Sequence, residues 1–290
     1  MEKKIIVIGS GPAGISAALY ARRGGASVTV VTKGQGALAK AERIENYYGF
    51  PEPVTGAELE RRGIEGARRL GITLQSGEVM QLGFNDTFDG YTVAGKDFEL
   101  SAPSVILAAG ASRKSVQIPG IAELEGKGVS YCAICDAFFY RKKRVGVIGA
   151  GAYALHEAEV LAPHVSELHI LTNGAEETTQ FPQGMTVHTS KLSSIKGTEH
   201  VEGVVFEDGA ELPLDGVFIA IGTAGSVVLA KKMGIQLDGR SVKVDDNMAT
   251  NVPGIFAAGD CTGGLLQVAK AVYEGSKAGL SAVNYLRSKS

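Results

Sequence analysis

Short apolar runs that pass through glycine into amphipathic stretches recur along the chain, the alternation expected when strands feed helices. The pattern occurs twice in nearly the same form. KIIVIGSGPAGISAALYARRGGASVTVVTKG, from Lys4, aligns without a gap over RVGVIGAGAYALHEAEVLAPHVSELHILTNG, from Arg144. Gly9 then meets Gly149, Gly11 meets Gly151, Thr32 meets Thr172 and Gly34 meets Gly174. Each copy predicts a strand, a glycine turn, a helix and a second strand, VTVV or LHIL, which is the opening of a Rossmann unit. Alternating segments with turn signals follow, FNDTFDGYTVAGKDFEL after the first and VEGVVFEDGAEL after the second, and predict β-meanders. Each half closes on an apolar strand ending in glycine, VILAAG at Val105–Gly110 and VFIAIG at Val217–Gly222.

A last strand and turn, IFAAGD at Ile255–Asp260, leads into a helical pattern from about Leu265 to Leu286 and has no second strand of its own. It is expected to return and complete the first domain, so that the second is an insertion. Turns at Ile118–Gly120 and Val252–Gly254 mark the connections. The expected fold class is α/β with two Rossmann-like domains of the FAD- and NAD(P)-binding type. The first covers 1–116 and 247–290, and the inserted second covers 117–246.

Composition narrows the function. A formal net charge of -2 on 290 residues gives no electrostatic ground for nucleic acid or an anionic membrane surface, and neither partner is expected. No apolar run approaches the roughly 18 residues of a membrane span, and Ile5–Ile8 stops short of the about 7–15 apolar residues of a signal core, so the expected location is cytoplasmic. Three cysteines make no disulfide scaffold, yet Cys132 and Cys135 stand in C-x-x-C spacing.

Gly9, Gly11 and Gly14 form G-x-G-x-x-G directly after a strand. The first allows a tight turn, the second lets backbone approach a pyrophosphate, and the third lets helix pack on strand. Pro12 pre-sets φ for an early helical position. The second copy keeps the pattern as Gly149, Gly151 and Ala154, which fits either a working site or an inherited fold with a weak or empty one. After its second strand come Thr172, Asn173, Gly174, Glu176 and Glu177. A 2′-phosphate would meet carboxylates and no arginine there, which disfavours NADPH and leaves NADH open. Thr32 takes the corresponding place in the first copy, again without an acid.

Asp260 follows a strand and glycine, where a carboxylate can accept from sugar or ribityl hydroxyls or cap a helix. The helix near Gln267 can aim N–H groups at a flavin carbonyl. Cys261 is expected to be a packing residue. The Cys132–Cys135 pair reads as a redox dithiol, with a zinc site or two inert thiols as alternatives. At a helix start the sulfurs lie close enough to bridge and a thiolate is stabilised. Asp136 can supply or accept the exchange proton, or serve as a first-turn helix acid. No histidine adjoins the pair, and the scattered histidines show no metal-ligand spacing.

GSGPAG at Gly9, CAICD at Cys132, GAGAYA at Gly149 and AAGD at Ala257, in this order and spacing, resemble the low-molecular-weight thioredoxin reductases over essentially the whole chain. The resemblance implies an FAD-containing homodimer whose FAD domain is interrupted by a pyridine-nucleotide domain carrying the C-x-x-C. It places flavin contacts at Gly9, Ser10, Gly11, Pro12, Ala13 and Gly14, at Leu38 and Asn46, at Gly110, and at Asp260, Gln267 and Val268. It also implies that Cys135 faces the flavin and Cys132 attacks the disulfide of a thioredoxin.

Two departures stand out. LTNG replaces the family's H-R-R stretch, and Gln267 holds the place of an arginine. GDCTGGLLQVAKAVYEG and IENYYGF instead resemble the ferredoxin-dependent flavin thioredoxin reductases of anaerobic bacteria, which do without a nicotinamide cofactor, although that subgroup loses the second glycine motif more completely. The expected activity is therefore reduction of thioredoxin or a thioredoxin-like protein through FAD and the Cys132–Cys135 pair, with reduced ferredoxin rather than NADPH as donor. One dithiol must serve a buried flavin and an outside protein in turn, so the second domain is expected to rotate between half-reactions. An NAD(P)H-dependent reductase or diaphorase, and a non-enzymatic flavin-binding sensor, are the other readings.

Overall fold

A computed structural model of the chain describes residues 3–110, 118–221, 225–239 and 241–289. The chain opens with β1 (Lys4–Ile8), α1 (Pro12–Arg23), β2 (Ser27–Thr32), α2 (Gly56–Arg69) and β3 (Thr73–Ser76). A meander of β4 (Gln81–Phe84), β5 (Tyr91–Ala94) and β6 (Glu99–Ala102) then precedes β7 (Ser104–Leu107). The next stretch holds β8 (Val129–Ser130), α3 (Ala133–Asp136), β9 (Arg144–Ile148), α4 (Ala152–Leu161), β10 (Glu167–Leu171) and β11 (Thr186–His188). A second meander, β12 (Leu192–Gly197), β13 (Val201–Phe206) and β14 (Glu211–Pro213), leads to β15 (Gly216–Ile219). The chain ends with α5 (Ser226–Lys232), β16 (Leu237–Asp238), β17 (Ser241–Val242), β18 (Ile255–Ala257) and α6 (Val268–Ser288).

The structure divides into two compact units, Met1–Ser112 with Ala224–Ser290, and Arg113–Thr223. The first is built on a parallel sheet in the order β18-β7-β1-β2-β3. Its core joins Ile5, Val7, Ile106 and Phe256 of the sheet to the small-residue face of α1 and to Ala278, Ala282 and Leu286 of α6. The second repeats the plan in a parallel sheet, β11-β10-β9-β15-β8, over a core that includes Ile148, Leu171, Val204, Phe206 and Val217. Near-continuous apolar strands fit a sheet covered on both faces. Among the described residues no helix is long and apolar enough to cross a membrane.

One boundary read from the sequence is corrected. Residues 225–246 were expected in the inserted domain, but those of them that are described pack in the first unit. Ser226 is fully buried and its Oγ accepts from Ala109 N at 3.0 Å, while Gln236 N donates to Asn251 Oδ1 at 2.8 Å. The Pro253–Gly254 turn that suggested the break is a seam inside the first unit. Gly254 O accepts from Val105 N at 3.0 Å and from Ser104 Oγ at 2.9 Å, which ties the turn to β7. Residues 116 and 117, at the other expected boundary, and Gly222 lie outside the described residues.

The C-terminal helix reaches the first unit because glycine lets its backbone touch α1. A Cβ on Gly275 would stand 2.1 Å from Ala13 O, and one on Gly279 would stand 2.3 Å from Ala17 O. Gly279→Ala is therefore expected to destabilise the protein by about 1–3 kcal/mol through overpacking, outweighing the about 1 kcal/mol of helix propensity that alanine brings. Urea unfolding followed by circular dichroism measures it, and an unchanged or raised midpoint would show that the two helices can part at no cost.

Candidate active site

In the first unit the turn after β1 brings the glycines into the arrangement their spacing predicts. Gly9 adopts φ +113, and a Cβ there would lie 2.3 Å from Ala108 O; a Cβ on Gly14 would lie 1.8 Å from Gly9 O. These two glycines are required by backbone contact. Gly11, the N-cap of α1, has no side-chain cap, and no described atom lies within 4 Å of where its Cβ would be. Open space above an uncapped helix start, with Pro12 at the first helical position, suits a pyrophosphate. Ser10 is buried and its hydroxyl pairs with Thr32 Oγ1 at 2.6 Å, so Thr32 braces the turn from the end of β2.

The other predicted contacts converge on this unit. A Cβ on Gly259 would stand 2.7 Å from Ala13 Cβ, which sets the turn that carries Asp260 against the start of α1. Asn46 Nδ2 donates to Gln267 Oε1 at 3.1 Å, joining the 41–53 segment to the N-cap of α6, with Val268 the first residue of that helix. Leu38 begins a short 3-10 turn, Leu38–Lys40, and Gly110 has φ +73 with no described atom within 4 Å of a Cβ.

Lys270 and Glu274, which the sequence reading missed, lace the Asp260 turn to α6. Lys270 Nζ donates to Gly259 O at 2.9 Å and to Thr262 Oγ1 at 2.8 Å, and pairs with Glu274 at 3.0 Å; Glu274 Oε2 accepts from Gly259 N at 2.9 Å. Their i,i+4 spacing was the available signal. Cys261 is the packing residue expected: it is 1% exposed, and burial pushes its thiol up to about 11.

A buried acid supplies a further test of what this unit holds. Glu60 of α2 is 6% exposed; its Oε1 accepts from Gly36 N at 3.0 Å, while its Oε2 is buried with no hydrogen-bond partner among the described residues. An unmet buried carboxylate oxygen is costly and calls for a donor. It lies by the loop that follows β2, where a Rossmann unit meets ribose hydroxyls.

The second unit repeats the turn. A Cβ on Gly149 would stand 2.2 Å from Ala220 O, as Gly9 does from its own sheet. Over Gly151, however, the place of a Cβ lies 3.0 Å from Thr178 Oγ1, and Thr178 N donates to Ala150 O at 2.8 Å. The segment that carries exposed Glu176 and Glu177 thus folds back on the glycine turn. Asn173, at φ 52, uses Oδ1 to accept from Leu192 N at 2.8 Å, and Thr172 is buried.

Cys132 and Cys135 form a disulfide at the start of α3, with Cα atoms 5.3 Å apart. Cys132 is 8% exposed and is the N-cap, its Sγ accepting from Cys135 N at 3.2 Å; Cys135 is exposed. Asp136 does not stand alone. Its Oδ2 accepts from Ser130 Oγ at 2.6 Å, and Ser130 Oγ accepts from Cys132 N at 3.1 Å, so a serine two residues upstream links the acid to the first cysteine. Ile134, between the two cysteines, and Phe138 and Phe139, just after them, are exposed, the two rings meeting edge to face at 6.2 Å, and exposed apolar side chains grouped in this way mark protein-binding surfaces. Among the described residues no group of three or more metal-ligating side chains could hold a metal ion.

Two nucleotide-type folds, one open glycine cradle and a C-x-x-C disulfide define a disulfide oxidoreductase. The family model for pyridine nucleotide-disulphide oxidoreductases matches residues 3–275, and the chain belongs to that family, on its low-molecular-weight thioredoxin reductase branch. It is 33% identical to the thioredoxin reductase of Aquifex aeolicus over 98% of this chain and 94% of that one. The atypical thioredoxin reductase TRi from Desulfovibrio vulgaris Hildenborough superposes with a TM-score of 0.92 at 39% identity over 99% of each chain. A ferredoxin-flavin thioredoxin reductase from Clostridium acetobutylicum does so with a TM-score of 0.79 at 31% identity over 98% of each.

The open Gly11 cradle and the unmet Glu60 oxygen fit a flavin dinucleotide. Gly11→Val is expected to fold, since its side chain enters open space, yet a clash of about 1–3 kcal/mol with the bound group weakens flavin retention about tenfold or more. Flavin absorbance per folded chain is the measurement. Full flavin occupancy in this variant would place the pyrophosphate elsewhere.

Proposed function

We propose that the chain is a flavin-dependent protein-disulfide reductase that acts on thioredoxin or a thioredoxin-like protein and takes its electrons from reduced ferredoxin or a similar low-potential carrier. The observation that carries the reading is the Cys132–Cys135 disulfide with exposed Ile134 inside its turn and exposed Phe138 and Phe139 directly after it. A small-molecule reductase has no use for such a patch, whereas a partner protein can bury it.

FAD would be held by the Gly9–Gly14 turn, Leu38, Asn46, Gly110, Asp260, Gln267 and Val268, and when bound supplies the electron pair that cleaves the Cys132–Cys135 bond. The dithiol then works by exchange. One sulfur attacks the partner's disulfide to form a mixed disulfide, and the second attacks that bond, releasing the reduced partner and restoring Cys132–Cys135. The family's order has Cys132 attack the partner and Cys135 serve the flavin side. Asp136, linked to Cys132 through Ser130, handles the proton that leaves or joins a sulfur in each exchange.

The donor assignment draws on the second unit. Thr178 seated over Gly151, exposed Glu176 and Glu177, and the absence of arginine through Leu171–Glu177 all work against a nicotinamide pyrophosphate and its 2′-phosphate. Energetically the route is downhill, since a ferredoxin near -400 mV lies roughly 130 mV below a thioredoxin near -270 mV, or about 6 kcal/mol for two electrons. We place the protein in the cytoplasm, as a homodimer.

Two experiments test this reading. Cys132→Ser and Cys135→Ser are each expected to abolish thioredoxin reduction and to keep bound flavin; wild-type turnover in either would select a diaphorase and leave the pair incidental. Under anaerobic stopped-flow, reduced ferredoxin is expected to bleach the flavin while micromolar NADPH and NADH do not. Rapid bleaching by either nucleotide would return the second glycine turn to service.

A further inference from the structure

Glu157 lies on α4 among the buried residues Tyr153, Ala154, Ala158 and Leu161, and is itself 1% exposed. Its Oε2 accepts from the backbone N–H of Ala133 at 2.7 Å. Ala133 follows Cys132 and opens α3. The other donors of this turn stay within it or next to it: Cys132 N on Ser130 Oγ, Cys135 N on Cys132 Sγ at 3.2 Å, and Asp136 N on Cys132 O at 3.2 Å. Glu157 thus holds the first residue of α3 from the neighbouring helix. A neutral glutamine could also accept from Ala133 N, and a buried carboxylate is the costlier choice.

We propose that Glu157 is a positioning residue that also sets the redox balance of the Cys132–Cys135 pair. Its carboxylate fixes the Ala133 end of the turn, and its charge disfavours a thiolate on the neighbouring sulfurs. The inference rests on the pair being the working dithiol. Reduction breaks the S–S bond with two electrons; below the thiol pKa each sulfur takes a proton, and above it one remains a thiolate. A fixed negative charge in the protein interior raises the energy of that thiolate and leaves the neutral disulfide nearly unaffected. The reduced pair becomes less stable, hence a stronger reductant.

Other titratable groups stand around the turn. Asp136, on the turn itself, is held on Ser130, and His156 neighbours Glu157 on α4. Tyr140 is pushed above its ordinary value by burial and by Asp136, and Tyr131 by burial and by Glu125, so both stay neutral near pH 9. Tyr153 is buried, and its hydroxyl donates to Tyr131 O at 3.4 Å.

The test equilibrates the flavin-loaded protein with glutathione, two glutathione thiols being oxidised to one disulfide for each pair reduced. Acid quenching, alkylation and mass measurement then count dithiol at about pH 6 and about pH 9. Glu157→Gln keeps an acceptor for Ala133 N and removes the charge. It is expected to shift the equilibrium toward the dithiol about tenfold at about pH 9, equivalent to about 30 mV, and much less at about pH 6. Glu157→Asp keeps the charge while shortening the reach to Ala133, and is expected to stay within about threefold of wild type.

No shift in Glu157→Gln, an equal shift at both pH values, or a glutamine-like shift in Glu157→Asp would reduce Glu157 to a packing group. Should Glu157→Gln fail to fold, the wild type decides alone: the pH above which its potential changes slope is expected to lie above the ordinary thiol value of about 8.5, and a break below that value overturns the proposal. The readout needs no thioredoxin turnover, so a wrong partner assignment would show itself separately, as wild-type protein that equilibrates with glutathione but does not reduce thioredoxin.

Discussion

Backbone-to-backbone contact at glycine is the constraint on which both units depend. In a parallel sheet each crossover helix must start beside the strand that feeds it, and the chain can turn that sharply only where no Cβ intervenes. Gly9 against Ala108 and Gly149 against Ala220 are the same contact made twice, 2.3 and 2.2 Å from a carbonyl oxygen to where a Cβ would be. α6 completes the first unit by the same device, through Gly275 and Gly279 on the backbone of α1. Remove that freedom and the strands, the helix start and the uncapped N–H groups above it lose their common origin.

This contact also separates structural glycines from functional ones. Gly9, Gly14 and Gly149 are demanded by packing whether or not a cofactor is bound. Gly11 is demanded by nothing within the described chain, which is why it points to a ligand. The sequence motif assigns these roles by position alone, and only the contacts show which glycine is bound by packing. Its survival in the second copy as Gly149, Gly151 and Ala154 therefore carries less weight for a nicotinamide site than it first suggests.

Much of the fold was legible because its signals are local. The paired repeat, the apolar strands, the meanders and the return of Ile255–Asp260 to the first unit depend on periodicity and glycine spacing, and the two parallel sheets follow them. The boundary near residue 246 was not legible, because Pro253–Gly254 looks the same whether a turn links domains or lies stitched to Ser104 and Val105. In the site, the C-x-x-C, Asp260 and Gln267 stood out by type and position. Glu157 and Thr178 did not, since their partners Ala133 and Ala150 are fixed only by the tertiary fold, and Ser130, Lys270 and Glu274 did not, since turn geometry rather than spacing alone gives them their roles. Glu157 did leave a trace: it is an acid in the apolar stripe of AYALHEAEVL, and a charge on a buried face must find a donor.

What the second unit contributes can be argued from the same contacts. Its parallel sheet places β8 at one edge, and the chain leaving β8 passes directly through Ser130 into the dithiol turn, while α4 supplies Glu157 to the first residue of α3. Sheet and helix together therefore fix the turn from two sides. A framework that holds this turn has to retain Gly149, since a Cβ there would meet the Ala220 carbonyl and Ala154, whereas Gly151 meets only the Thr178 hydroxyl. Retention of Gly149 and the place of Thr178 by Gly151 are in this way compatible with one set of packing demands.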